Sequence, residues 1–133
     1  MDPSEVAAIP LFASISAESA ALLAAEEVAD VPAGQVLARA GDIAEGMFVV
    51  LDGQVVVEQG PVHHELGPGS FFGELSLLVD DAPRVARVRA SADSRVLAIE
   101  RTTFDRLVET EPSFTRALLK ELAARLVEIR SRH

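Results

Sequence analysis

Apolar and polar positions alternate in three different rhythms along the chain. Over residues 1–27 they recur at helical spacing. Asp2 and Pro3 supply a cap and a first helical residue for a short helix through Ala8, and Pro10 ends it. Ser16 caps a second helix over 17–26, with Leu22 and Leu23 turned inward. From 28 to 100 the rhythm shortens to β-rich runs cut by glycines, with strands expected at 28–31, 35–39, 47–51, 54–58, 64–66, 86–90 and 95–99. Turn signals separate them at Pro32-Ala33-Gly34, Gly41-Asp42, Asp52-Gly53, Gly60-Pro61 and Gly67-Pro68-Gly69. Asp52-Gly53, set between 47–51 and 54–58, predicts a tight hairpin joining those two strands. Many short strands at this spacing suggest a jelly roll or a barrel-like sandwich.

Helical spacing returns after 100. Thr102 opens a helix with Asp105 as its capping-box partner, running to about Glu109, and Pro112 resets the chain. The last helix covers 113–130, where Phe114, Leu118, Leu122, Leu126 and Ile129 fall on one face. Glu121–Arg125 and Glu128–Arg132 are favourable pairs one turn apart. Such a stripe serves either for docking on the β-region or as a dimer seam or moving lid; a short one is more often core packing.

The 133 residues fit one domain, with N-terminal helices over 1–27, a β-region over 28–100 and C-terminal helices over 101–133. Hydrophobic residues make up 49% and charged residues 25%, a globular composition. There are no cysteines, which excludes disulfides, thiolate catalysis and cysteine-held metals. No apolar run approaches the ~20 residues that span a bilayer. The acidic start Met1-Asp2-Pro3-Ser4-Glu5 lacks the basic opening of a secretory signal, so a cytoplasmic location is expected. The net charge of −9 argues against general binding of nucleic acid or anionic membrane. An anionic small ligand would need local positive groups acting against that field.

One stretch, 72–90, carries such groups. Gly73 allows close backbone approach, and 74–78 can form a single helical turn whose leading amides favour an anion. About ten residues on, Arg84 opens a strand, and a guanidinium grips phosphate oxygens through two parallel hydrogen bonds. Glu74 would repel phosphate, but it suits a hydroxyl donor such as a ribose 2′-OH. An anion-binding turn, an arginine and a hydroxyl acceptor together describe a sugar phosphate.

Gly73-Glu74-Leu75-Ser76-Leu77-Leu78, followed by Pro83-Arg84-Val85-Ala86-Arg87-Val88-Arg89-Ala90, resembles the phosphate-binding cassette of the cyclic nucleotide-binding domain family. Pro32-Ala33-Gly34-Gln35-Val36-Leu37 and Arg39-Ala40-Gly41-Asp42 resemble the family's early glycine turns, and the segment 47–55 its central hairpin. The resemblance covers roughly 9–130. It implies a mainly β fold, a double-stranded β-helix (a jelly-roll-like β-roll) with N-terminal and C-terminal helices. It implies a ligand site at Phe72, Gly73, Glu74, Leu75, Ser76, Arg84, Val85 and Ala86. Glu74 would accept from the ribose hydroxyl, Arg84 would pair with the cyclic phosphate, and the amides of Gly73, Leu75 and Ala86 would line it. Leu126, Ile129 or Arg130 of the last helix would cover the base. Where the family often has Ser, Thr or Ala after the arginine, this chain has Val85, which weakens the case for cGMP and leaves cAMP. Arg87 and Arg89 alternate away from Arg84 and are expected to be surface charges.

The expected activity is therefore that of a cyclic-nucleotide sensor acting through its last helix, on a second copy or an effector protein. The alternative is a nucleotide-free interaction or dimerisation module of the same fold. An enzyme is not expected, because no nucleophile has a base and an orienting partner. No cofactor is expected besides the nucleotide ligand. His63 and His64 point to opposite strand faces and read as a polar hairpin tip, not a metal site. Asp80-Asp81 reads as a solvated turn. DNA binding by this chain alone is not expected, since no helix-turn-helix follows the last helix.

Overall fold

The computed structural model describes residues 1–38, 46–79 and 86–131. Arg39, the Gly41-Asp42 turn, Asp80-Asp81, Pro83, Arg84, Val85, Arg132 and His133 lie outside the described residues. The chain forms two compact units, one of Met1–Ala25 with Asp105–His133 and one of Glu26–Phe104.

In the second unit the glycine-cut runs become strands β1 Glu27–Val31, β2 Val36–Ala38, β3 Gly46–Asp52, β4 Val55–Gln59, β5 Val62–Leu66, β6 Phe71–Phe72, β7 Arg87–Ala90 and β8 Ser94–Glu100. They build two four-stranded sheets, ordered β1-β8-β3-β6 and β2-β7-β4-β5, and every pairing among the described residues is antiparallel. This is the mainly β roll that the family resemblance implies, and it agrees with the sandwich suggested by the turn spacing. β6 escapes a reading by alternation because it is two residues long.

Val50 and Phe72 of the first sheet pack with Ala38, Val55 and Val88 of the second. Val31 and Val96 meet Ala90 in the same way. Along β3 and β8 the opposite face is buried as well, through Met47, Val49, Leu97 and Ile99. A strand buried on both faces reads as a continuous apolar run, which is why 47–51 shows no clean alternation. The outer face of the second sheet is polar. There Glu58 lies 3.1 Å from Arg89 and 3.7 Å from both Arg87 and His63.

The hairpin expected at Asp52-Gly53 does not form, since β3 and β4 belong to different sheets. Gly53 adopts the positive φ of 87° that the dipeptide suggests. The turn nonetheless carries the chain across the sandwich, because its exit is held by the β7–β8 connection and not by a facing strand. The Gln54 amide donates to Ser94 Oγ at 3.0 Å, and the Ser91 amide donates to the Gln54 carbonyl at 2.9 Å. The tight hairpin of this unit is β4–β5, where Gln59 faces Val62 across Gly60-Pro61.

Helix α4, Arg101–Thr110, also starts differently from the expectation. It begins one residue before Thr102, so Thr102 lies inside it and cannot cap it. The cap comes from Glu26 instead, whose carboxylate accepts from the Glu100 amide at 2.8 Å and from Thr103 Oγ1 at 2.9 Å. A carboxylate here also suits the positive end of the helix dipole.

In the first unit, α1 Pro3–Ala7 carries a full capping box between Asp2 and Glu5. Pro10 does more than end it. Its fixed φ opens a 3-10 turn, Pro10–Phe12, that buries Leu11 and Phe12. Helix α2, Ala17–Ala24, is capped by Ser16 Oγ, which accepts from the Ser19 amide at 3.2 Å. Helix α5 spans Pro112–Ser131. Among the described side chains of its stripe, Phe114 and Leu118 are buried and Leu122 keeps some exposure. Phe114 stacks on Phe12 with ring centroids 5.9 Å apart, Leu118 is buried, and Leu126 is 49% exposed. Leu119 and Val127, off the stripe, are exposed too.

Glu111, just before α5, reaches back to the cap of α2. Its carboxylate accepts from the Ser16 amide at 2.7 Å and from Ser16 Oγ at 3.1 Å. The backbone hydrogen bond from Ser16 holds this carboxyl below its ordinary value of 4.5, against the opposing effect of burial. A carboxyl lowered on folding contributes stability above its unfolded pKa, and that contribution is lost as pH falls through the folded value. Thermal unfolding of the parent and a Glu111→Gln protein should therefore differ most near neutrality and converge in acid below about pH 4. A difference that stays constant with pH would remove Glu111 from this role.

Candidate functional site

The segment implied as the ligand site begins where the first sheet ends. After the Gly67-Pro68-Gly69 turn, the Gly69 amide donates to the Val50 carbonyl and the Val50 amide to the Ser70 carbonyl, both at 2.8 Å. That seats β6 against β3 with Phe48 opposite Phe72 and Val49 opposite Phe71. Both β6 side chains are buried, and the Phe72 ring stacks on Phe48 with centroids 5.0 Å apart and planes 19° from parallel.

Gly73 then takes a φ of 92°, a left-handed conformation that side chains disfavour, and it redirects the chain at once. Glu74 follows in helical conformation and is 2% exposed, although it carries a carboxyl. It leads α3, Leu75–Leu78. The Leu77 and Leu78 amides both donate to the Glu74 carbonyl at 3.0 Å. The amides of Leu75 and Ser76 therefore lie ahead of the turn's first internal bond, where a helix has no internal acceptor to offer its donors. Leu77 is buried, whereas Leu75, Leu78 and Val79 are exposed.

Phe72, Gly73, Glu74, Leu75 and Ser76 thus sit on one tight turn at the end of the first sheet, with Ser76 placed by its backbone alone. Ala86 occupies the bend leading into β7 of the second sheet. Arg84 and Val85, between them in sequence, lie outside the described residues. Arg87 and Arg89 take their expected place as surface charges and face Glu58. On α5, Leu126 is half-exposed; Ile129 and Arg130 continue the helix backbone, with their side chains outside the described set.

Nothing in the sequence pattern singles out Phe48. It sits on the inward face of β3 with Val50 and borders both clusters between the sheets, yet it keeps some exposure, as do Leu37, Val57 and Leu66. Its neighbours Met47 and Val49, on the other face, keep none. The alternation of Phe48 with Val50 points inward, but nothing local pairs it with Phe72, 24 residues away.

Residues 28–111 match the family model of the cyclic nucleotide-binding domain. A cyclic nucleotide-gated potassium channel of Rhizobium etli is 35% identical over 116 residues, covering 86% of this chain and 32% of the channel. The chain spans about a third of the length of the potassium channels it matches, and less of the other curated relatives. Among solved structures, the catabolite activator protein of Thermus thermophilus superposes with a TM-score of 0.77 at 31% identity, over 92% of this chain and 61% of that one. A structure described with a cyclic-GMP-dependent signalling pathway in bacterial phytopathogenesis gives a TM-score of 0.70 at 36% identity, over 86% and 95% of the two chains.

Proposed function

The chain belongs to the cyclic nucleotide-binding domain family, and from that membership we propose that it is a regulatory module, residues 1–133 acting as one domain, that binds a cyclic mononucleotide with cAMP preferred. The observation that carries the reading is Glu74: a carboxyl 2% exposed, set behind the left-handed Gly73 at the head of a short helical turn. A carboxylate held at the head of that turn has acceptor oxygens that suit a ligand hydroxyl. In the proposed complex Glu74 accepts from the ribose 2′-OH, and the amides of Gly73, Leu75 and Ala86 line the cyclic phosphate. Arg84 neutralises that phosphate, and Leu126, Ile129 or Arg130 covers the base.

The proposed output runs through α5. Its exposed Leu119, Leu126 and Val127 are available to a second copy or an effector protein. The nucleotide shifts that helix only as far as it binds two helix positions with different affinity. One observation favours a second ligand. The relative described with a cyclic-GMP-dependent pathway is 36% identical, which supports cGMP, whereas Val85 lacks the hydroxyl that would meet a guanine amino group and supports cAMP.

Calorimetric titration of nucleotide-free protein with each nucleotide tests the proposal. The expected result is saturable heat with both and a lower Kd for cAMP; the reverse order would replace cAMP with cGMP. Absence of heat with either nucleotide up to millimolar would overturn the sensor reading. It would leave an interaction module whose assembly, measured by ultracentrifugation, ignores nucleotide.

A further inference from the structure

We propose that Phe48, outside the cassette motif, is a positioning residue for the nucleotide: its ring, stacked on Phe72, fixes the turn that presents Glu74. The inference rests on the sensor reading for its consequence in binding, and on the fold alone for its geometry.

β6 is two residues long and, among the described residues, pairs with β3 alone, at the edge of its sheet. So short a strand has few ladder bonds to hold it. The stacked rings of Phe48 and Phe72, 5.0 Å apart, supply the side-chain contact at the point where β6 gives way to the turn. Glu74 is only two residues beyond Phe72, a reach of at most about 7 Å of chain. Gly73 between them, at φ 92°, adds no side chain to fix the turn. The place of the Glu74 carboxyl and of the leading amides of α3 therefore depends on how firmly the Phe72 end of β6 is held.

Phe48 is suited to hold that ring because β3 is itself firmly held. It is flanked by β8 and β6, and Met47, Val49 and Val50 beside Phe48 have no exposure. Phe48 also borders both inter-sheet clusters. It thus ties the turn to a strand whose neighbouring side chains are fully buried. A shorter aliphatic side chain would fill part of the same space but could not stack on Phe72.

Phe48→Leu and Phe48→Tyr separate positioning from bulk. Tyrosine keeps the ring that stacks on Phe72, and Phe48 is not among the fully buried side chains. If the leucine variant holds the turn in place only a tenth of the time, its apparent affinity for cAMP falls about tenfold. The expected result is that loss with cooperative unfolding retained, near-parental affinity for Phe48→Tyr, and faster amide exchange over 73–78 in nucleotide-free Phe48→Leu alone. Leu23→Ala, a core truncation in α2 outside both clusters that Phe48 borders, should lower Tm and leave affinity within about twofold.

Equal binding by parent and Phe48→Leu, with unchanged exchange over 73–78, would overturn the proposal. So would a tyrosine variant as weak as the leucine one. If Phe48→Leu does not fold, Phe48→Met and Phe72→Met, which conserve volume without a ring, carry the same comparison. Should the parent bind neither cAMP nor cGMP, the sensor reading fails; exchange over 73–78 in the nucleotide-free variants still decides whether Phe48 holds the turn.

Discussion

An Arg84→Ala protein should bind cAMP about tenfold to a hundredfold more weakly than the parent while unfolding at nearly the same temperature. The proposed contact is a guanidinium on a cyclic phosphate, a charge-assisted pair whose loss costs on the order of 1.5–3 kcal/mol, and each 1.4 kcal/mol is about tenfold in affinity. The chain carries a net charge of −9, so a nucleotide phosphate approaches against the overall field and depends on local cations. Arg87→Ala is the control. It removes the same charge three residues away, from a guanidinium that lies 3.7 Å from Glu58 on the outer face of β7. An exposed pair of that kind contributes at most about 1 kcal/mol to stability, and affinity should stay within about twofold. Equal losses in the two variants would mean that only the general field matters; no loss in Arg84→Ala would remove that residue from the site.

The largest expected effect on stability is at Gly53. In Gly53→Ala the added Cβ would lie 2.5 Å from the Asp93 carbonyl oxygen and 2.7 Å from the Ser94 Cα, with the Ser94 hydroxyl closer still. Those are mainly backbone atoms of the β7–β8 connection, which cannot swing aside as the tip of a long side chain can. The φ of 87° adds strain for any residue with a Cβ. Strain of about 1–2 kcal/mol and overpacking of about 1–3 kcal/mol together predict a loss of about 3 kcal/mol. That lowers Tm by about 10 °C in a chain of this size. Gly34→Ala isolates the strain. Its φ of 93° is nearly the same, but nothing lies within 4 Å of an added Cβ. Its loss should be about 1 kcal/mol. Thermal unfolding of the two variants side by side measures the difference, and equal shifts would show that the contact with Asp93 and Ser94 is relieved at little cost.

Gly53 also shows how far local chemistry can be read. Asp52-Gly53 correctly signals a left-handed residue, because that depends on the glycine alone. It misleads about the partner, because the strand that follows is chosen by which sheet can bury Val55 and by the hydrogen bonds from Ser91 and Ser94, 37 and 40 residues away. The caps divide along the same line. Asp2 and Ser16 cap their own helices within three residues and are legible. Glu26 caps α4 across 74 residues and Glu111 holds the Ser16 cap of α2 across 95, and no local pattern announces them. The turn at Gly73 is legible because that glycine, Glu74 and the one-turn helix after them are neighbours in sequence. Phe48 is not, because its place beside that turn depends on the register of β3 against a two-residue strand. The α5 stripe reads as uniform, but among its described side chains exposure rises from Leu118 through Leu122 to Leu126, because spacing along a helix says which residues share a face and not how far that face is covered.

The strand order bears on how the protein comes off the ribosome. Among the described strands β8 comes last in sequence, yet it sits in the interior of the first sheet between β1, the first of them, and β3. β7, the next to last, holds the same place between β2 and β4 in the second sheet. Until residue 90 has emerged the second sheet lacks β7, and until residue 100 the first lacks β8, so β1 and β2 wait for their partners while most of the unit is synthesised. Nested pairings of this kind close long loops at once and make for late, all-or-none folding. A nascent chain arrested before β7 should then be open to proteases along its whole β-region.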